Sequence, residues 1–366
     1  MVTSPGEEST LGDVASNLAA VCAEVGQKVV LLNTAIFGTP AEGDAESPMP
    51  PLWWLNWPAP QNTTKSLEEE RLGIEDEGEG RLFGQGLNFF HPENWYLSAA
   101  LIRTALMASG LYWRARRNAE NVKIRYHDIC MPEVPSHFDG FTILQLSDLH
   151  ADLSEGAMRR LIELLPTISY DLCVLTGDYR AKTFGPYQAA LDGLARVRAH
   201  LDGPVYGVLG NHDTVRMVPR MEELGIRMLL NEADVLDQSG AQIHLVGIDD
   251  AHYYRVDNIE KAAADVPAAE FSILLSHTPE IYRQAAHAGF NVLLAGHTHG
   301  GQACLPGAIP IILDSVLPRH MGAGAWRYHG MIGYTSVGVG SCILPVRLNC
   351  FPEITLHRLL RERPPI

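Results

Sequence analysis

The chain has 366 residues, of which 46% are hydrophobic, enough for one large α/β domain or for two to three domains with a sizeable core. Its net charge of −15 is uneven, because residues 1–80 hold 14 acidic side chains against two lysines and one arginine. The rest of the chain is close to neutral, so charge gives no reason to expect specific nucleic-acid binding. The six cysteines form no CxxC pair, which favours reduced thiols. The polar, acidic start shows no signal peptide and predicts a cytoplasmic location.

The first two segments read as an N-terminal extension. Residues 1–37 resemble the start of the P-loop ATPase domain of bacterial polysaccharide-synthesis tyrosine kinases, but Glu8 stands near the place of the phosphate-binding lysine and would repel phosphate. We interpret this stretch as a decayed P-loop-like fragment or an accidental match. Residues 38–90 predict an acidic linker containing prolines and tryptophans, a composition that does not bury a core by itself.

Residues 91–120 predict an amphipathic helical segment. Its apolar run, 95–113, has aromatic residues at both ends and is followed by a basic cluster that includes Arg114. The run is barely long enough to cross a bilayer and carries Arg103 near its middle, which argues against a span. Two readings remain open: a helix at a membrane interface, with the protein peripheral on the inner face, or a helix packed on the catalytic body.

From residue 121 to the end, apolar runs alternate with helical patterns, as is typical of an α/β domain. The predicted strands are 122–127, 141–146, 171–175, 204–209, 243–246, 271–275, 291–295, 331–337 and 353–356. The predicted helices are 155–165, 187–200, 218–224 and 279–287.

Five of these strands are followed directly by side chains that can bind a metal ion. In an open α/β sheet such positions gather at the carboxyl ends of the strands, where ligands bind. Each residue alone has a simpler explanation, such as a helix cap or a turn, but five in succession are very unlikely to arise by chance. The residues are Asp148 and His150, Asp178, Asn211 with His212 and Asp213, His277, and the pair His297 and His299.

The residue types indicate the kind of metal. Imidazole, carboxylate and amide oxygen without thiolate suit Mn, Fe or Zn, with Mg or Ni as alternatives. A structural zinc site would favour cysteine. Two ions about 3.5–4 Å apart need one bridging carboxylate and about three further ligands each, which this set supplies.

The ordered series Asp148-x-His150, Gly177-Asp178, Gly210-Asn211-His212-Asp213, His277 and Gly296-His297-x-His299 resembles the calcineurin-like metallophosphoesterases over about residues 140–358. The resemblance implies a four-layer αββα sandwich of two mixed sheets. It also implies site roles. Asp148, His150 and His299 would hold one ion, and Asn211, His277 and His297 the other, with Asp178 bridging both. His212 would sit beside the substrate phosphate, oriented by Asp213.

That family resemblance further implies a hydrolase in which a metal-bridging hydroxide attacks phosphorus and His212 protonates the leaving oxygen. The residues after His299 and near the C-terminus look like the bacterial branch that includes membrane-associated phosphodiesterases and a UDP-2,3-diacylglucosamine pyrophosphatase. A lipid-linked or nucleotide-linked phosphoester or pyrophosphate is therefore the expected substrate, with Arg180 and Arg347 as candidate contacts to its anion. The alternatives are a soluble phosphodiesterase or phosphomonoesterase on a small substrate, and a non-catalytic metal-bound scaffold.

Overall fold

The computed structural model describes residues 67–77 and 97–362, all of which belong to one compact unit, residues 64–366. The predicted P-loop-like fragment, 1–37, and most of the linker, 38–90, lie outside the described residues. One part of the linker is described: it forms helix α1 (Leu67–Glu77). This helix was not predicted, because its acidic sequence has no clear apolar stripe.

Two six-stranded mixed sheets form the body of the domain. The first has the strand order β1-β14-β2-β3-β4-β5, and the second β12-β13-β9-β8-β7-β6. In the first sheet β14 pairs antiparallel with β2 and the other pairs are parallel, whereas in the second only the outer pairs, β12-β13 and β6-β7, are antiparallel. A two-stranded antiparallel ribbon, β10-β11, lies outside both sheets.

The strands of the first sheet are β1 (Lys123–Met131), β2 (Thr142–Leu146), β3 (Leu172–Thr176), β4 (Val205–Val208), β5 (Arg227–Met228) and β14 (Glu353–Arg361). Those of the second are β6 (Glu232–Gln238), β7 (Ala241–Gly247), β8 (Ser272–Leu275), β9 (Val292–Ala295), β12 (Gly324–Tyr328) and β13 (Met331–Thr335). The ribbon consists of β10 (Cys304–Leu305) and β11 (Ile309–Pro310).

Successive side chains of each strand point to opposite faces of its sheet, and this alternation produces the layers. Ile143 and Val174 point into the core between the sheets, where they meet Ile273 and Leu294 of the second sheet. Their neighbours along the chain face a separate core under the helices. Both faces of each central strand are therefore buried, which explains the continuous apolar runs in the sequence. The result is the four-layer αββα sandwich that the family resemblance implied.

Helices cover both outer faces. The α-helices of the described residues are α1, α2 (Ser98–Ala108), α3 (Tyr112–Ala119), α4 (Glu155–Leu164), α5 (Gln188–Arg198), α6 (Val218–Glu223), α7 (Ile259–Ala262) and α8 (Tyr282–His287). Helix α4 starts as its sequence predicts, since the Ser154 hydroxyl accepts a hydrogen bond from the backbone N–H of Ala157 and caps the first turn.

The predicted segment 91–120 contains two helices, α2 and α3, that break at Gly110, where φ is +72°. Tyr112 and Ala115 of α3 pack against Leu344 and Val346 near the C-terminus. Most of α2, by contrast, is exposed. Among the described residues, no helix combines the length and the hydrophobicity that crossing a membrane would require. The five cysteines in the described part of the chain carry free thiols.

Candidate metal centre and active site

The predicted ligands come together where the two sheets meet. Those on the loops after β2, β3 and β4 belong to the first sheet, and those after β8 and β9 to the second. The strands carrying them are parallel within each sheet, so their carboxyl ends open at the same edge. The site therefore joins both halves of the sandwich.

One group of ligand atoms comes from Asp148, His150 and His299, whose donor atoms lie within 4.8 Å of one another. The Nε2 atoms of His150 and His299 are 3.1 Å apart, and His299 Nε2 is 3.6 Å from Asp148 Oδ1. All three residues are buried. We refer to this group as cluster one.

The second group, cluster two, comes from Asp178, His277 and His297, again with donor atoms within 4.8 Å. Asn211 belongs beside it, because its Oδ1 lies 2.9 Å from His277 Nε2. Asp178 lies between the clusters: its Oδ2 is 3.2 Å from His277 Nε2 and 3.8 Å from His150 Nε2 of cluster one. This is the location that a bridging carboxylate needs.

Backbone carbonyls fix the orientation of three imidazole rings. His150 Nδ1 donates to Arg180 O, His277 Nδ1 to Thr176 O, and His297 Nε2 to Asp314 O, each at 2.8 Å. A carbonyl can only accept, so these nitrogens carry protons, and each ring turns its opposite nitrogen toward its cluster, where a bound ion would take the place of any proton.

Burial and neighbouring charges shift the pKa values of the clustered groups. Burial, followed by the charge of Arg347, holds the pKa of His299 well below its usual value, and burial followed by His252 does the same for His297. Both rings are therefore neutral and able to ligate. Burial also lowers the pKa of His277, but the Asp178 carboxylate outweighs it and raises that pKa to about 10. The pKa of Asp148 is raised, first by burial.

The backbone at the ligands is strained. Asp148, His150, Asp178, His297 and His299 all have positive φ, between 38° and 71°. This region favours glycine, and non-glycine residues persist there only where the surroundings enforce it. Gly296 adds a packing constraint, because a Cβ at that position would overlap Ser147 Oγ and the Asp148 carboxylate.

His212 lies at the edge of cluster two with its Nε2 3.9 Å from Asp178 Oδ2, and its Nδ1 is 3.3 Å from Thr183 Oγ1. The Asp213 carboxylate accepts 2.8 Å hydrogen bonds from three backbone N–H groups, those of Asp178, Tyr179 and Gly210. The Asp213 carboxylate therefore ties together the two loops that carry Asp178 and His212, and its role in orienting the His212 ring stays a prediction.

The two candidate substrate arginines are occupied elsewhere. Arg347 is fully buried and donates to the carbonyls of His299 at 2.9 Å, Val337 at 2.7 Å and Gly340 at 2.6 Å. Arg180 donates to the carbonyls of His212, Thr183 and Gly185. Neither side chain lines the cavity described next, so we do not propose a substrate contact for them.

A cavity of about 310 Å³ opens onto the ligands. Its inner end is polar, with Asp178, Asn211, His212, His297 and His299 among the lining residues. Its outer walls are apolar and come from α2 on one side and from the chain around β11 and residues 343–348 on the other. The apolar lining residues are Ile102, Leu106, Ile311, Ile312, Ile343, Val346 and Leu348.

The donor set fits the ions that the sequence predicted. Each cluster offers borderline nitrogen ligands together with carboxylate oxygen, and these lie close enough to share one ion. Sequence reasoning missed three residues that support the site: Thr183 and Cys342 beside the His212 ring, and Arg71 behind its loop. None of these carried a motif signal, because each depends on tertiary contacts.

The fold and the paired clusters define a class, the dinuclear metal-dependent hydrolases. Comparison with known proteins gives the family. Residues 141–301 match the model of the calcineurin-like phosphoesterase family. The metallophosphoesterase YkuE of Bacillus subtilis (strain 168) is 30% identical over 271 residues, which cover 71% of this chain and 93% of YkuE. The chain belongs to the calcineurin-like phosphoesterases and is a hydrolase of phosphate esters.

Two further relatives have more specific names. Phosphodiesterase YaeI of Escherichia coli (strain K12) is 29% identical over 240 residues, covering 60% of this chain and 82% of YaeI. UDP-2,3-diacylglucosamine pyrophosphatase LpxG of Chlamydia trachomatis is 23% identical over 330 residues, covering 72% of this chain and 97% of LpxG.

Proposed function

We propose that the protein is a phosphodiesterase or pyrophosphatase that hydrolyses a lipid-linked substrate, such as UDP-2,3-diacylglucosamine, at a dinuclear metal centre. The observation that carries this proposal is the cavity, whose polar end contains the ligand clusters and whose outer walls are apolar. A phosphoester with an apolar chain matches both ends. The names of YaeI and LpxG support the same reaction classes.

Asp148, His150 and His299 would hold one ion, and Asn211, His277 and His297 the other, with Asp178 between them. Mn, Fe or Zn suits these donors best. When bound, the ions would supply Lewis acidity and lower the pKa of water. The buried, carbonyl-oriented imidazoles keep the ligand geometry fixed, so little reorganisation is needed during the reaction.

His212 would act on the substrate itself. Its Nε2 is the ring nitrogen near Asp178, and the residue lines the cavity. From there it can donate a hydrogen bond to a phosphoryl oxygen and pass a proton from Nε2 to the leaving oxygen. Thr183 Oγ1, 3.3 Å from Nδ1, holds the opposite side of the ring.

We further propose that the cavity mouth contacts the inner face of the membrane. Apolar side chains are exposed on both sides of it: Leu101 and Met107 of α2, and Ile311 and Ile312 after β11. Trp113 is 70% exposed, and the adjacent Arg114, Arg116 and Arg117 are also exposed, an arrangement that suits an anionic lipid surface.

The test compares substrates on Mn²⁺-loaded protein. We expect kcat/KM for UDP-2,3-diacylglucosamine to exceed that for a UDP-sugar without acyl chains by at least tenfold. Ile312→Ser should lower kcat/KM for the acylated substrate by about tenfold, as expected for about 1.5 kcal/mol of apolar burial. It should leave hydrolysis of bis(4-nitrophenyl) phosphate unchanged.

Val235→Ser is the matched control, since Val235 is an exposed apolar residue on the edge strand β6. Equal rates on acylated and unacylated substrates would reject the lipid-linked proposal and favour a soluble phosphodiesterase. For the membrane, flotation with phosphatidylglycerol vesicles should recover the protein, and replacing Arg114, Arg116 and Arg117 by Gln should reduce recovery. Unchanged recovery would count against this contact surface.

A further inference from the structure

Helix α1 carries a fully buried arginine, Arg71, although its sequence is acidic and lies in the predicted linker. The guanidinium forms an ion pair with Asp249 and another, at 3.1 Å, with Glu75 on its own helix. Its face stacks on the Tyr254 ring at 4.3 Å from the centroid. An arginine is almost never fully buried unless its charge is paired. Asp249, Glu75 and the Tyr254 ring supply that pairing here.

Two further hydrogen bonds connect Arg71 to the loop that carries His212. Arg71 Nη2 donates to Gly210 O at 3.0 Å and to Asp213 O at 2.8 Å. These carbonyls lie at the two ends of the four-residue loop that carries Asn211 and His212. One rigid guanidinium thus holds both ends of this loop, residues 210–213, from its outer side.

The same helix makes a second attachment just beyond this loop. Glu75 accepts hydrogen bonds from the Thr214 hydroxyl and, at 3.0 Å, from the Val215 N–H. On the inner side, the Asp213 carboxylate accepts from Gly210 N at 2.8 Å. The loop of residues 210–213 is therefore closed on its inner side by the Asp213 carboxylate and held on its outer side by α1.

We propose that Arg71 is a positioning residue, which sets the placement of His212 and Asn211 through the Gly210 and Asp213 carbonyls. Residues 67–77 then belong to the catalytic unit. This inference rests on the proposed roles of His212 and Asn211, but is independent of the substrate's identity. Because misplacement of a catalytic group by about 1 Å can cost on the order of 100-fold in rate, the expected effect falls on kcat.

The experiment uses the full-length chain, bis(4-nitrophenyl) phosphate and saturating Mn²⁺. Arg71→Ala should lower kcat by about 10- to 100-fold with KM changed less than about threefold. Methylguanidine added to this variant should restore several-fold of the lost rate. Amide hydrogen exchange should rise in the peptide covering 210–215, with exchange around α4 unchanged. Arg160→Ala is the matched control, because Arg160 is an exposed arginine on α4 that forms a 3.0 Å surface ion pair with Glu163.

An unchanged kcat in folded Arg71→Ala would overturn the proposal. So would a loss of rate with hydrogen exchange raised equally throughout the domain, since that pattern marks general destabilisation. If Arg71→Ala does not fold, Arg71→Lys provides the test, because lysine keeps the charge but lacks the planar guanidinium that reaches both carbonyls. We expect at least a fivefold lower kcat for this variant. A wild-type kcat would refute the positioning role. An inactive wild-type protein would reject the proposed function, and local exchange at 210–215 would still test the contact.

Discussion

Replacing Gly296 by alanine adds a single methyl group beside Asp148, a candidate metal ligand. That Cβ would overlap Ser147 Oγ and the Asp148 carboxylate and lie 3.0 Å from Ser147 Cβ. Neither side chain can move away cheaply, because both are buried, they are hydrogen-bonded to each other at 2.5 Å, and Asp148 also accepts from His297 N at 3.1 Å. The methyl group must therefore displace the Asp148 carboxylate from cluster one.

The magnitude follows from packing and from geometry. Overfilling a packed interior costs about 1–3 kcal/mol of folding free energy. For a domain of this size each kcal/mol lowers Tm by about 2–4 °C. A carboxylate displaced by about 1 Å should also lower kcat/KM by on the order of 100-fold. Gly296 has no positive φ that would add backbone strain to the alanine variant, so the effect reports packing alone.

The assay pairs thermal unfolding with kinetics and with metal content per chain. Gly330→Ala is the matched control, because no atom lies within 4 Å of a Cβ at that position. We expect the control to retain wild-type Tm and activity, and Gly296→Ala to lose activity and part of its bound metal. A Gly296→Ala variant with wild-type kcat/KM and full metal content would refute the assignment of Asp148 to a tightly packed metal site.

Three further outcomes are expected. His212→Ala should retain both ions but lose about 100- to 10,000-fold in kcat, measured with His137→Ala as the exposed control. Chelation by EDTA should abolish activity and lower Tm, and Mn²⁺ should restore both, because ions that bind only the folded state stabilise it by about 2.7 kcal/mol at 100 times Kd. Burial lowers the pKa of His357, so the unfolded state binds more protons below about pH 6.5 and stability should fall with decreasing pH. His357→Gln should reduce the pH dependence of the unfolding free energy by up to about 1.4 kcal/mol per pH unit. The measurement is Tm as a function of pH between 7.5 and 5.5.

Each of these has a contradicting result. Loss of metal from His212→Ala would assign the ring to ligation, and full activity after exhaustive chelation would exclude a metal-dependent reaction. An unchanged pH slope in His357→Gln would show that other groups account for the acid sensitivity. The contact of His357 Nε2 with Gln145 Oε1 at 2.9 Å is one that glutamine can reproduce, so the variant mainly removes the titrating ring.

The central strands could be predicted because both of their faces are buried. Runs such as 171–175 and 291–295 read as continuous apolar segments, and the structure forms β3 and β9 there. The edge strands β6 and β12 were missed: β6 is largely polar, and β12, Gly324–Tyr328, is a short strand without an apolar run. The ligand positions followed from strand ends, which the chain order alone can reveal.

The supporting contacts could not be predicted. Arg347 and Arg180 attracted attention as cations near a phosphate site, but burial turns both into donors to backbone carbonyls. Arg71 lies in an acidic segment without hydrophobic periodicity. Its proposed role depends on the packing of α1 against the loop at Gly210, which the sequence does not show. Such roles depend on residues far apart in sequence, which no local pattern encodes.

The packing of the sandwich explains how the candidate ligand residues keep their positive φ angles. Five of the candidate ligand residues occupy the left-handed region, a conformation that costs about 1–3 kcal/mol each when the residue is not glycine. The cost is offset by the surrounding sandwich, where strands buried on both faces leave the loops at their ends little freedom. In return the ligand side chains converge from two different sheets. We therefore infer that a single sharp turn after β9 lets His297 and His299, two residues apart, serve cluster two and cluster one respectively.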